Sequence, residues 1–167
     1  EVESLRAWRP PASLRVVLGA TVMEPNGRAV SAYGGTRLDV YPFYVGLKQA
    51  WEGAVRAGET QRVAVVEVAP DGTPIAAGKP LVLTLSRVTW NSVLRKNSQG
   101  RYEWQSERQA VVIRQDTLGA GGTPTDWAFA VDSAGDYLLS ASDPASGASS
   151  SLSFAAGATD SRWLAWS

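Results

Sequence analysis

Histidine and cysteine are both absent from the 167 residues of this chain. Losing histidine removes the commonest general base, and losing cysteine removes the thiol nucleophile; together they are the usual ligands of zinc. A disulfide framework is excluded too, although a domain of this length folds without one in either a reducing or an oxidising compartment. No apolar run approaches the ~18 residues that cross a bilayer as a helix. The opening Glu1-Val2-Glu3-Ser4-Leu5 has neither the basic nor the apolar region of a signal peptide, so a segment cut from a longer chain is expected. Excess charge of one sign is missing as well. Sixteen basic residues balance sixteen acidic ones, which leaves no field to draw the molecule to nucleic acid or anionic lipid.

What remains is ordinary globular material, 44% apolar and 19% charged, arranged with an apolar period of two. Leu14, Val16, Leu18, Ala20 and Val22 alternate up to Glu24-Pro25-Asn26-Gly27, whose Asn-Gly suits the positive φ angles of a hairpin, and Val30 and Ala32 begin the return. Val63 to Val68 runs into Pro70-Asp71-Gly72-Thr73-Pro74 and is followed by Leu81 to Leu85. Arg87 to Lys96 and Arg101 to Gln109 flank the turn Asn97-Ser98-Gln99-Gly100. Ala110 to Ile113 reads as a buried strand and Asp116 to Asp126 as a Gly-rich loop. Strands with Trp127, Phe129 and Val131, then Tyr137, Leu139 and Ala141, then Leu152 and Phe154 complete the series. No stretch longer than about ten residues keeps a helical stripe free of Gly and Pro. An all-β, antiparallel sandwich of immunoglobulin-like type is therefore expected.

Pro42 cannot donate to a ladder and Gly46 marks a bend, so a boundary is placed between them and the hairpin before. Residues 43–157 hold seven or eight strands, enough to close a sandwich. Residues 1–42 hold about two, too few for a core of their own, and read as C-terminal strands of a preceding module or strands added to this one. Residues 158–167 form a tail carrying Trp163 and Trp166, which need a surface to rest on.

Reactive constellations do not emerge. Ser149, Ser150 and Ser151 lack a base, since only Lys48, Lys79 and Lys96 are available and no Gly-x-Ser-x-Gly occurs. Gly119, Gly121 and Gly122 lead to Pro124 rather than to a Lys and a helix, unlike a phosphate-binding loop. Asp132, Asp136 and Asp143 have calcium-ligand chemistry but turn-residue spacing. Glu103 and Glu107, four apart on a strand, stand ~13 Å apart at 3.3 Å per residue, beyond the reach of a glycosidase pair. Arg101, Arg108 and Arg114 interleave with Tyr102 and Trp104, but nearby carboxylates offset them. Seven tryptophans demand space. Trp90, Trp104 and Trp127, within strands, are expected to fill the space between sheets; Trp51, Trp163 and Trp166, near the edges, are expected to meet a neighbouring module.

The ordered set Val40-Tyr41-Pro42-Phe43-Tyr44-Val45-Gly46-Leu47-Lys48, Gly58-Glu59, Val68-Ala69-Pro70-Asp71-Gly72-Thr73-Pro74-Ile75-Ala76 and Leu83 to Trp90 resembles macroglobulin-like domains of bacterial alpha-2-macroglobulins. Gly135-Asp136-Tyr137-Leu138-Leu139, the strand Ser149 to Phe154 and the aromatic tail extend the resemblance. It implies a non-catalytic structural module of a large, usually lipid-anchored protein of the periplasm or cell envelope. Proteins of that family trap proteases when a bait segment is cut, many through a Cys-x-Glu-Gln thioester. With no Cys, this chain holds no thioester, and Asp116 to Asp126 is too short for a bait. The implied partners are neighbouring macroglobulin-like domains, met through Pro42, Phe43, Trp51, Trp163 and Trp166, with target proteases engaged only by the whole parent. No enzyme activity, cofactor, metal, nucleic acid or direct membrane insertion is expected. The alternative is an immunoglobulin-like module of an adhesin or carbohydrate-active protein that binds glycan through exposed aromatics.

Overall fold

A computed structural model describes residue 10, residues 12–96 and residues 98–157. Among the described residues every regular element is a strand. Strands β1 (Leu14–Met23) and β2 (Ala29–Leu38) make a two-stranded sheet that pairs only with itself, from Leu14 opposite Leu38 to Met23 opposite Ala29. Gly27 takes a φ of +83° while Asn26 stays at negative φ. The reversal is therefore a turn closed by a left-handed glycine, rather than one with both central residues at positive φ.

The body contains eight strands: β3 (Tyr44–Gln49), β4 (Val55–Arg56), β5 (Gln61–Val68), β6 (Pro80–Lys96), β7 (Tyr102–Gly119), β8 (Thr125–Phe129), β9 (Gly135–Ser142) and β10 (Ser149–Gly157). One sheet has the order β4-β10-β9-β6-β7 and the other β3-β5-β8, and all neighbours are antiparallel except the short β4–β10 pair. Alternation decides what lies between the sheets. Val63 and Val65, Leu81, Leu83 and Leu85, Trp127 and Phe129, and Tyr137, Leu139 and Ala141 point inward with at most 5% of their surface exposed. Each large aliphatic side chain buried this way contributes about 1.5–3 kcal/mol. Phe129 sits at the centre, its ring 5.8 Å from Trp51, 5.2 Å from Trp127 and 5.5 Å from Phe154. Tyr137 donates its hydroxyl to the Ser133 carbonyl at 2.7 Å, which lets a large ring be buried with its polar tip satisfied.

Strand β7 departs from the sequence expectation in two places. Ala110 to Ile113 is not a buried strand of its own, and Asp116 to Gly119 is not loop: both belong to β7, which runs unbroken for 18 residues. The apolar run is half open to solvent, with Val111, Val112 and Ile113 at 49%, 58% and 49% exposure. The reason is position: β7 is the edge of its sheet, so a continuous apolar run there does not mean burial on both faces. A bulge opposite Leu85 and Ser86 adds one residue at Ile113 and re-aims the strand. Only 120–124 is left as a connection to β8.

Candidate functional site

Strand β9 leaves β6 after Val88. From Thr89 opposite Gln109 to Lys96 opposite Tyr102, β6 and β7 continue as an arm paired only with one another. Directly paired residues share a face, so the register sorts the arm's side chains. One face carries Trp90, Leu94, Tyr102 and Trp104 with Lys96 and Arg108. The other carries Asn91 opposite Glu107 and Arg95 opposite Glu103, with Gln109 opposite Thr89. Asn91 Nδ2 donates to Gln109 Oε1 at 3.1 Å, and Arg95 is ion-paired with Glu107. The acidic residues expected to offset Arg108 thus lie on the opposite side of the ribbon.

Trp90 and Trp104 are 61% and 73% exposed, contrary to the expectation that they fill the space between the sheets. They lie beyond Val88, the last β6 residue paired with β9, where among the described residues β6 and β7 have no further strand beside them. Trp127 does fill that space, at 5% exposure, with its Nε1 donating to Asp116 Oδ2 at 2.7 Å and the Arg114 guanidinium 5.1 Å above its ring. Trp127→Phe is expected to cost about 1–3 kcal/mol in urea unfolding, because it strips the half-buried Asp116 of a donor. An open depression of about 390 Å³ beside Trp90 is bordered by Val88, Arg108, Asp136 and Ser153.

A second feature lies at the other end of the sandwich. Segment 74–79 is laced between β5 and the 120–124 connection: Gly122 N donates to the Ile75 carbonyl at 2.7 Å, Glu67 N to Gly121 O at 2.7 Å, and Lys79 N to Glu67 Oε2 at 3.2 Å. Glu67 is 1% exposed, and its Oε1 has no hydrogen-bond partner. Burial raises its pKa above the ordinary carboxylate value, with the Asp143 carboxylate adding to the rise, against the lowering effect of Lys79. Asp143, 2% exposed, behaves oppositely. Burial disfavours its charge, but the hydroxyl of Ser146 and the N–H groups of Ala145 and Ser146 outweigh it and hold the pKa below the ordinary value.

The sign follows from proton binding. Folded Glu67 keeps its proton to higher pH than the unfolded chain does, so its contribution is complete below the unfolded pKa of about 4.3 and is lost as pH rises through the folded value. Glu67→Gln is expected to flatten the fall in stability above about pH 4.3, measured as the urea midpoint against pH; an unchanged slope contradicts this assignment.

The residues expected to meet a neighbouring module separate in the structure. Pro42 is exposed. Phe43 is 4% exposed inside the sandwich core, and Trp51 packs on the same core, its ring 5.4 Å from Phe154. Phe43 is thus core rather than contact, because its ring has no free surface left to offer. Trp163 and Trp166 lie outside the described residues. Asp136 and Asp143 stand near opposite ends of β9, ~23 Å apart along the strand, so they do not converge on one ion. Ser149, Ser150 and Ser151 open β10, paired with Ser142, Ala141 and Ser140. The favoured expectation placed Trp90 and Trp104 between the sheets, and only the alternative of a glycan-binding module gave aromatics an exposed role. The signal was there in the shared parity of Trp90, Leu94, Tyr102 and Trp104 about a hairpin turn.

Eight body strands in two packed sheets, mostly antiparallel, with a buried aromatic cluster between them, define an all-β sandwich of the immunoglobulin-like, macroglobulin type. Residues 46–157 match the family model of bacterial macroglobulin domain 6, and the chain belongs to that family. Among solved structures, it is similar to the native conformation of Escherichia coli alpha-2-macroglobulin, with a TM-score of 0.63 and 19% identity over 87% of this chain and 10% of that one. Salmonella alpha-2-macroglobulin reacted with methylamine gives a TM-score of 0.62 at 18% identity, covering 90% of this chain and 11% of that one. The Escherichia coli protein activated by porcine elastase gives 0.62 at 21%, covering 90% and 14%. This chain therefore spans about a tenth of the length of the solved proteins it matches. No curated protein sequence matches it.

Proposed function

We propose that this chain is a non-catalytic structural module of a bacterial alpha-2-macroglobulin, a protease-trapping protein of the cell envelope. The carrying observation is the match to bacterial macroglobulin domain 6 along 46–157. In this reading, residues 1–42 are trailing strands of a preceding module, and Pro42, Trp163 and Trp166 meet the neighbouring domains. The module transmits the parent's conformational change, while cleavage and capture take place elsewhere in the parent. The test is native gel migration of the full-length protein after limited proteolysis. Compaction that is lost when residues 43–157 are replaced by an unrelated β-sandwich supports the reading; a full-length protein that never compacts overturns it.

A second reading, glycan binding, draws on the exposure of Trp90 and Trp104 on one face. It expects retardation of the isolated chain in polysaccharide-containing gels, abolished by Trp104→Ala. For the structural module the expected outcome is no retardation. Trp104→Ala is also expected to move the urea midpoint of the isolated chain by less than about 0.5 kcal/mol in equivalent stability, as for other exposed sites.

A further inference from the structure

We infer that the aromatic face of the β6–β7 arm docks into an acid-rimmed apolar groove on another macroglobulin module of the same polypeptide, with Trp90 and Trp104 as anchors. This rests on the reading of the chain as one module of a longer protein. A two-stranded ribbon is marginal in water without a layer against it, yet this one continues for eight paired positions beyond the last contact with β9. Its two faces are not equivalent. The face with Asn91 and Arg95 is tied across the strands by a hydrogen bond and an ion pair, as a solvated face is. The face with Trp90, Leu94, Tyr102 and Trp104 exposes between 50% and 73% of each side chain. Trp, Tyr and Arg are the residues that anchor protein interfaces, and here they stand together with an aliphatic neighbour.

Charge narrows the occupant. Lys96 and Arg108 share the aromatic face, and no acidic residue lies on that face of the arm between Trp90 and Arg108. A second copy docking face to face brings like charges together, whereas a groove rimmed by Asp and Glu complements them. Size narrows it further. Six side chains fall well short of the roughly 20–30 residues a side of a stable free-standing interface. A module tethered in the same polypeptide acts at an effective concentration in the millimolar range, so a small face suffices. The solved macroglobulins are long enough to supply such neighbours, since this chain corresponds to 10–14% of each.

The test compares amide hydrogen exchange of peptides covering 89–96 and 102–109 in the isolated 167-residue chain and in the full-length protein. Exchange at least tenfold slower in the full-length protein is expected, with fast exchange restored by Leu94→Ser combined with Trp104→Ser. Equal exchange of the wild-type arm in both contexts overturns the inference without any variant. Protection in the isolated chain that grows with its concentration assigns the face to a second copy, and protection by added oligosaccharide assigns it to glycan; either outcome overturns it. Protease-induced compaction of the full-length protein is scored in parallel. Compaction with an unprotected arm refutes the docking alone, and a protected arm without compaction refutes the protease-trapping reading alone.

Discussion

Phe129→Ala is expected to destabilise the chain by about 3–5 kcal/mol. The side chain is 1% exposed and touches the rings of Trp51, Trp127 and Phe154, which come from both sheets and the β3–β4 connection. Removing it forfeits the transfer free energy of a phenyl group. It also leaves a cavity whose walls are rigid aromatic rings that collapse poorly, so the cavity cost adds to the transfer cost. Against a typical domain stability of about 5–15 kcal/mol, that leaves the variant near its unfolding threshold. Urea unfolding followed by tryptophan fluorescence measures it: the midpoint falls sharply at constant slope. A loss below about 1 kcal/mol means that the ring cluster is not packed as described.

A second large effect belongs to a residue with no side chain. A Cβ at Gly78 meets the Ala120 carbonyl group and lies 2.7 Å from Gly121 Cα, all of it backbone that cannot swing aside. Gly122 is confined as well, though less tightly: a Cβ there lies 2.5 Å from Pro74 Cβ and 2.6 Å from Ile75 N. Gly78→Ala is expected to cost about 1–3 kcal/mol as an overpacking substitution. The loss is local in origin, because pushing segment 74–79 off the 120–124 connection also takes the Lys79 N–H away from the buried Glu67 carboxylate. Hydrogen exchange is expected to accelerate at Glu67 and Gly122, whose amides span this junction, before it does so at Leu139. Gly119→Ala supplies the control, since nothing stands within 4 Å of its Cβ. Equal effects at the two glycines contradict the steric account.

Much of the fold was legible because strand grammar is local. The reversals near Gly27, Gly72 and Gly100 all use a glycine at φ between 81° and 88°, and alternation identified Leu83, Leu85, Phe129, Tyr137 and Leu139 as inward-facing. The candidate surface was less legible. Trp90 and Trp127 have the same local signature, a Trp in an alternating strand, yet one is 61% exposed and the other 5%. Which of them is covered depends on where β9 stops beside β6, a pairing set by residues more than forty positions away. Val111 to Ile113 likewise looked buried, since an apolar run says nothing of whether its strand lies at the centre or the edge of a sheet.

The residue sequence by itself determined the all-β class, the glycine-closed reversals and the lack of His and Cys chemistry, because periodicity, turn glycines and composition act over a few residues or over the whole chain at once. Only the tertiary structure decided that β7 is a single edge strand, that Glu67 is buried beneath segment 74–79, and that an aromatic face projects past the sandwich. Those properties depend on which distant strand supplies the second layer, and long-range pairing leaves no periodic trace in the strands that it covers or leaves bare.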